Sequence, residues 1–223
     1  MLIQFSVLTE HLDRYLIGLG GTVAASVVSL LASFVLGAMI AVLCITPVKP
    51  LQWVGTAYVE FFRNIPLILI AFFVLVGVPL LTGTVLVPFI SGLTALTVYT
   101  SAFIAEAIRA GIQSVPQGQM EAARSSGLTY LQAMRYVILP QAVRLVIPPL
   151  GNQFLNLVKN SSIFTVLSAS DLMYQADLIN SDTFDTFSTY IFAALFYLIL
   201  TIPLSFGIRY LERRFPRVKG VEA

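Results

Sequence analysis

Residues 15–48 read YLIGLGGTVAASVVSLLASFVLGAMIAVLCITPV, a run without a single Asp, Glu, Lys or Arg. Crossing the hydrocarbon core of a bilayer takes about 20 apolar residues in a helix, so this stretch is long enough to span. It is also far longer than the apolar segment of a secretory signal peptide. Residues 64–105 and 186–208 are likewise free of charge. The whole chain follows suit, with 57% hydrophobic and 11% charged residues over 223 positions. Soluble domains carry about 25% charged residues. Too little polar surface is present to coat a water-soluble globule, and an all-α integral membrane fold is expected.

Working outward, 64–105 is too long for one span. Val78-Pro79, Thr82-Gly83-Thr84 and Pro88 supply the breaks that divide it. A further apolar segment, 136–158, carries Arg144 near its start. The pattern predicts about five transmembrane helices, at 16–45, 53–79, 86–112, 136–158 and 186–209. They form a single transmembrane domain over 1–223, with a leading interfacial segment 1–14, a polar loop at 113–141 and a basic tail at 209–223. Lys49, Arg124, Arg135, Arg209, Arg213, Arg214, Arg217 and Lys219 then share one side. Arg14 and the acidic loop with Asp171, Asp177, Asp182 and Asp185 share the other. Excess Lys and Arg marks the cytoplasm, which puts the N-terminus outside. The acidic loop reads either as solvated surface or as a seat for an outer partner.

Span one carries Ser29, Ser33, Gly37 and Ala41 at four-residue spacing. Such a ladder admits a close neighbour, either within the chain or in another subunit. Cys44 and His11 are the only residues of their kinds. A disulfide within the chain, Cys- or His-based metal sites and His-centred triads are therefore excluded. No Gly-x-Ser-x-Gly element is present for an intramembrane hydrolase. No internal repeat of the kind common in secondary transporters is visible. Each lysine is followed by Pro50, Asn160 or Gly220, so a P-loop, which needs Gly-Lys-Ser/Thr, is absent.

The most polar inner segment, 113–141, reads QSVPQGQMEAARSSGLTYLQAMRYVILPQ. Pro116 suits the opening of a helix. Gln119 to Arg124 favour one, and Gly127 suits a helix stop. A second helical stretch is expected from Tyr130 to Ile138, ending at Pro140. Small residues around Glu121 suit a short helix seated in a cleft. A carboxylate near a helix N-terminus is favoured by the dipole and is free to meet a partner's basic group.

Glu121-Ala122-Ala123, then Gly127, then Leu139-Pro140 resembles the EAA loop of ABC importer permeases, with Val137 where that pattern has Ile. The flanks Phe62-Arg63-Asn64-Ile65-Pro66-Leu67, Ile108-Arg109-Ala110-Gly111-Ile112 and Leu157-Val158-Lys159-Asn160-Ser161-Ser162 resemble the polar amino acid branch (histidine, glutamate, glutamine) of that family. The resemblance implies a type I ABC importer permease bundle whose EAA loop is a cytoplasmic coupling helix. It implies docking on an ATPase through Glu121, Ala122, Ala123 and Gly127, with Met120 and Arg124 beside them. It also implies a cytoplasmic ABC ATPase dimer that holds ATP and Mg, a second permease, identical or paralogous, and an extracytoplasmic amino-acid-binding protein. The setting is a bacterial cytoplasmic membrane. No cofactor is expected on this chain itself, and no nucleic-acid partner.

Arg63, Tyr99, Glu106, Lys159, Asn160 and Ser161 are candidate pathway residues, because charge in hydrocarbon faces a cavity or another charge. Glu106 and Arg109 are three apart and can simply pair on a helix. Asn160 and Ser161 can simply cap one. Arg63 can offer its planar fork to an amino acid's carboxylate. The expected function is ATP-driven import of polar amino acids, most simply glutamate, glutamine or aspartate. The alternative is an ATP-independent secondary transporter or small channel.

Overall fold

The computed structural model describes residues 3–215. Arg217 and Lys219 of the basic tail lie outside these described residues. A short helix, α1 (Phe5–Glu10), leads into α2 (Leu12–Ile45), which is 34 residues long. At 1.5 Å per residue α2 is about 50 Å long, longer than a bilayer core of about 30 Å, so it tilts or protrudes. Then come α3 (Lys49–Asn64), α4 (Leu67–Thr82) and α5 (Pro88–Gln113). The polar loop follows as α6 (Gln117–Ser125) and α7 (Tyr130–Ala133), and the chain continues through α8 (Leu139–Asn160). A 3-10 turn (Ser161–Thr165), α9 (Leu172–Thr183) and α10 (Thr186–Arg214) complete the described fold.

Three of these helices, α2, α5 and α10, are long and apolar enough to cross a membrane, and the bent pair α3–α4 passes the same test only when its two helices are taken together as one broken span. The segment predicted at 136–158 falls largely in α8, which is 22 residues long. It carries Arg144, Asn152, Gln153, Asn156 and Lys159, so its composition does not mark it as a span.

The spine of the bundle is α2 against α5. Ser29, Ser33, Gly37 and Ala41 are all buried. A Cβ at Gly37 would lie 2.8 Å from both Ile104 Cγ2 and the Ser101 carbonyl oxygen. Ser33 Oγ donates to the Thr97 carbonyl at 3.2 Å. The small-residue ladder is therefore an intrachain packing surface.

Three expectations are corrected. The stretch 53–79 is not one straight span, since α3 and α4 meet at 106°. The cause is Pro66, whose ring disfavours helical backbone in the preceding residue, and Ile65 is extended at φ −103°, ψ 135°. Val78-Pro79 does not interrupt α4, which runs on to Thr82 and stops at left-handed Gly83. Nor does Pro140 end the helix entered at Tyr130. In both cases a five-residue π turn precedes the proline, Phe73–Gly77 before Pro79 and Met134–Ile138 before Pro140. The wider turn re-registers the hydrogen-bond ladder, with Val78 N donating to the Phe73 carbonyl and Leu139 N to that of Met134. A proline just downstream is thereby tolerated.

Candidate functional site

The segment 113–141 builds a short surface helix on a firm base. Pro116 stands at the N-cap of α6 with extended ψ, and Gln117 opens the helix. The stop is a left-handed Gly127 at φ 89°. Leu128 N donates to the Ala123 carbonyl at 3.2 Å across it, as in a Schellman ending. Thr129 then caps α7 in a capping box. Its hydroxyl accepts from Gln132 N, and the Gln132 side chain accepts from Thr129 N at 2.8 Å. Beneath α6, Met120 packs in an apolar cluster with Val115, Met134, Val137, Ile138 and Ala142.

The predicted docking residues therefore divide. Glu121, Ala122, Arg124 and Gly127 are exposed, whereas Ala123 is buried and Met120 half-buried. Met120 and Ala123 lie three apart and face inward. Both help hold the helix down, and Met120 remains partly exposed.

A charged cluster joins α3 to α5. Arg109 grips Glu106 with two bonds, Nε to Oε2 at 2.8 Å and Nη2 to Oε1 at 2.6 Å. Arg63 reaches the same carboxylate, with Nη1 3.6 Å from Oε1. The Arg63 guanidinium lies 5.6 Å from the centre of the Phe103 ring, which in turn packs on Tyr99 at 4.9 Å. The structure thus gathers Arg63, Tyr99 and Glu106, and adds Arg109. Two guanidiniums share the Glu106 carboxylate, and a second carboxylate, Glu60 of α3, acts on Arg109 as well.

Lys159, Asn160 and Ser161 sit elsewhere, at the end of α8. Among the described residues no hydrogen bond or ion pair joins them to the charged cluster. Ser161 is buried and donates to the Val158 carbonyl at 2.8 Å, as a helix-end residue does. Lys159 is exposed, and so are Asn152 and Asn156 on the same helix. Positions i, i+4 and i+7 share one face, so α8 presents a polar stripe that sequence reading left out. The spacing was there to be found.

The acidic loop is mostly occupied with folding. Asp171 is fully buried, caps α9 through Tyr174 N at 2.8 Å, and accepts from Thr165 and Tyr197 hydroxyls. Burial pushes its carboxyl above the usual range. Asp171 is thus neither solvated surface nor a partner's seat. Asp182 pairs with Arg14, Asp177 accepts from Tyr190, and Asp185 caps α10 at Ser188 N.

Residues 17–217 match the family described as binding-protein-dependent transport system inner membrane component. The chain belongs to that family. It is a membrane-embedded permease subunit of an ABC importer, with ATP hydrolysis on a separate subunit, and the family implies an ATPase and a substrate-binding protein as partners. This membership sets aside the ATP-independent alternative.

The permease is 63% identical over 212 residues to the "Probable glutamine ABC transporter permease protein GlnM" of Bacillus subtilis, covering 95% of this chain and 98% of that protein. It is 32% identical to the glutamate/aspartate import permease GltK of Escherichia coli, over 95% of this chain and 97% of the relative. Among solved structures, an amino acid ABC transporter crystallised with histidines matches with TM-score 0.90 and 36% identity, over 96% of this chain and all of that one. The methionine transporter MetNI, inward-facing, shares the fold at TM-score 0.79 and 23% identity, over 93% of this chain and 99% of that one.

Proposed function

We propose that this permease imports polar amino acids, glutamine foremost with glutamate and aspartate beside it, and that α6 is the coupling helix through which an ATPase dimer drives it. The observation that carries the coupling role is α6 itself. It is a short polar helix, exposed along Glu121, Ala122 and Arg124, with Ala123 buried and Met120 packed in the cluster that includes Ile138 and Ala142 at the start of α8. A push on α6 is passed directly to that helix. ATP and Mg belong to the ATPase, a second permease completes the path, and the binding protein delivers substrate outside. In this reading the bundle has five spans with its N-terminus outside, and α8 counts as a span because its polar stripe faces the path rather than lipid.

Support for glutamine comes from the relative named for it at 63% identity. Support for a carboxylate-holding site comes from Arg63, which stands 3.6 Å from Glu106 while Arg109 makes that carboxylate's two hydrogen bonds, so that its planar fork suits an amino acid carboxylate. Tyr99, Asn152, Asn156 and Lys159 would line the same path.

Coupling is tested with Glu121→Lys in the assembled importer. Loss of a charge-assisted contact worth about 1.5–3 kcal/mol lowers binding-protein-stimulated ATP hydrolysis by roughly ten-fold or more. Undiminished stimulation would remove Glu121 from the interface. The pathway is tested by uptake in vesicles. Arg63→Ala should raise the KM for substrate by roughly ten-fold, and Arg63→Lys, which keeps charge but not the fork, should recover only part. Equal KM in all three proteins would place Arg63 outside the path.

A further inference from the structure

We infer that Phe184 is the anchor by which this permease seats one lobe of its extracytoplasmic binding protein, in an acidic setting that selects a basic rim on that lobe. The inference rests on the transport reading above, including its orientation, and deepens it.

The corner between α9 and α10 is built against ordinary preference. Phe184 has φ 55° and is 88% exposed. Its N–H donates to the Asn180 carbonyl at 2.8 Å and so closes α9. Gly or Asn is the usual occupant of such a left-handed cap. A large aromatic ring standing in solvent there is strained by its backbone and supported by no packing. Strain of this kind collects where a residue serves something other than the fold.

The surroundings say what that is. Phe184, Phe187, Asp185, Glu10, Gln4 and Ser6 are among the residues that line a cavity of about 480 Å³ between α1 and the corner. Gln4 N donates to Ser188 Oγ at 2.9 Å, which ties the α1 wall to α10. Glu10 and Asp13 are exposed and make no ion pair among the described residues. Arg14 is the one Lys or Arg within 3–20 and 170–190, and it is already paired with Asp182. The face is therefore net acidic around a protruding apolar ring. An anionic lipid surface is repelled by such a face. A protein lobe with an apolar hollow ringed by Lys and Arg complements it, and aromatic residues are the commonest anchors of protein interfaces. The family supplies one soluble partner on this side, the binding protein.

The test uses the whole importer in lipid nanodiscs, measuring ATP hydrolysis against binding-protein concentration. Phe184→Gly suits the backbone better than the native residue and removes no buried contact, so folding and basal hydrolysis are kept. The half-saturating binding-protein concentration should rise by roughly ten-fold. Phe184→Leu, which keeps an apolar side chain, should fall between. Glu10→Lys should also raise it and should weaken the response of stimulation to added salt. A half-saturating concentration unchanged in Phe184→Gly overturns the anchor. If the native importer is not stimulated at all, the transport reading fails and the anchor with it.

Discussion

Asp171 shows how far a single residue's role depends on what surrounds it. In the sequence it is one of four aspartates in an outer loop. In the fold it is sealed beneath Gly18 and Gly21 of α2, with its oxygens held by Tyr174 N, Thr165 and Tyr197. Asp171→Ala removes an N-cap worth about 1 kcal/mol and leaves two part-buried hydroxyls short of an acceptor, for a total loss of about 2–3 kcal/mol. Asp171→Asn keeps the cap and should cost far less. The pH dependence follows from the sign of the shift. Burial raises the folded-state pKa above the unfolded one, so the folded protein holds the proton more tightly. The stabilisation this brings is complete below the ordinary aspartate pKa and is lost as pH rises through the elevated value. Thermal unfolding in detergent, scanned upward from acid pH, should therefore show a fall in the native protein that Asp171→Asn lacks. Parallel curves would contradict it. The Arg109–Glu106 grip, by contrast, was legible as i,i+3 spacing. The approach of Arg63 to the same carboxylate was not, because it depends on how α3 packs against α5.

At the scale of elements, local chemistry announced some boundaries and concealed others. Gly127 was readable as a stop because few residues other than glycine adopt φ 89° without strain. A Cβ there would meet nothing within 4 Å, so Gly127→Ala acts through the backbone alone. It should cost about 1 kcal/mol, and Gly127→Asn less. Hydrogen exchange at the Leu128 amide, bonded to Ala123 across the turn, should quicken in Gly127→Ala. Unchanged protection would show that the left-handed turn is not what holds α6 in place. The inward-facing Met120 and Ala123 were hidden for a different reason. A motif gives residue types, whereas the face of a helix that is buried is set by its neighbour, here the cluster at Ile138 and Ala142. Pro66 was visible as a residue but not as a 106° corner, since an apolar run looks alike whether straight or folded.

For the molecule as a whole, the membrane setting and the permease fold were legible because both rest on quantities that survive any detail of packing: the absence of charge over long runs, and a motif in its polar context. The α2–α5 spine was half legible. The ladder at Ser29, Ser33, Gly37 and Ala41 promised a close neighbour, but only the close approach of Ile104 and Ser101 to Gly37 says that the neighbour is the same chain. The polar stripe of α8 went unread because its residues lie among apolar ones and gain meaning only from a shared face.

That face has an origin upstream. The π turn Met134–Ile138 holds one residue more than an α-helical course would need. One extra residue rotates everything beyond it by about 100° around the helix axis. Asn152, Asn156 and Lys159 point where they do partly because of a single residue inserted well before them. A relative without that residue would carry the same amides in the same order about 100° around the axis, and identical letters would then describe a different face of the helix.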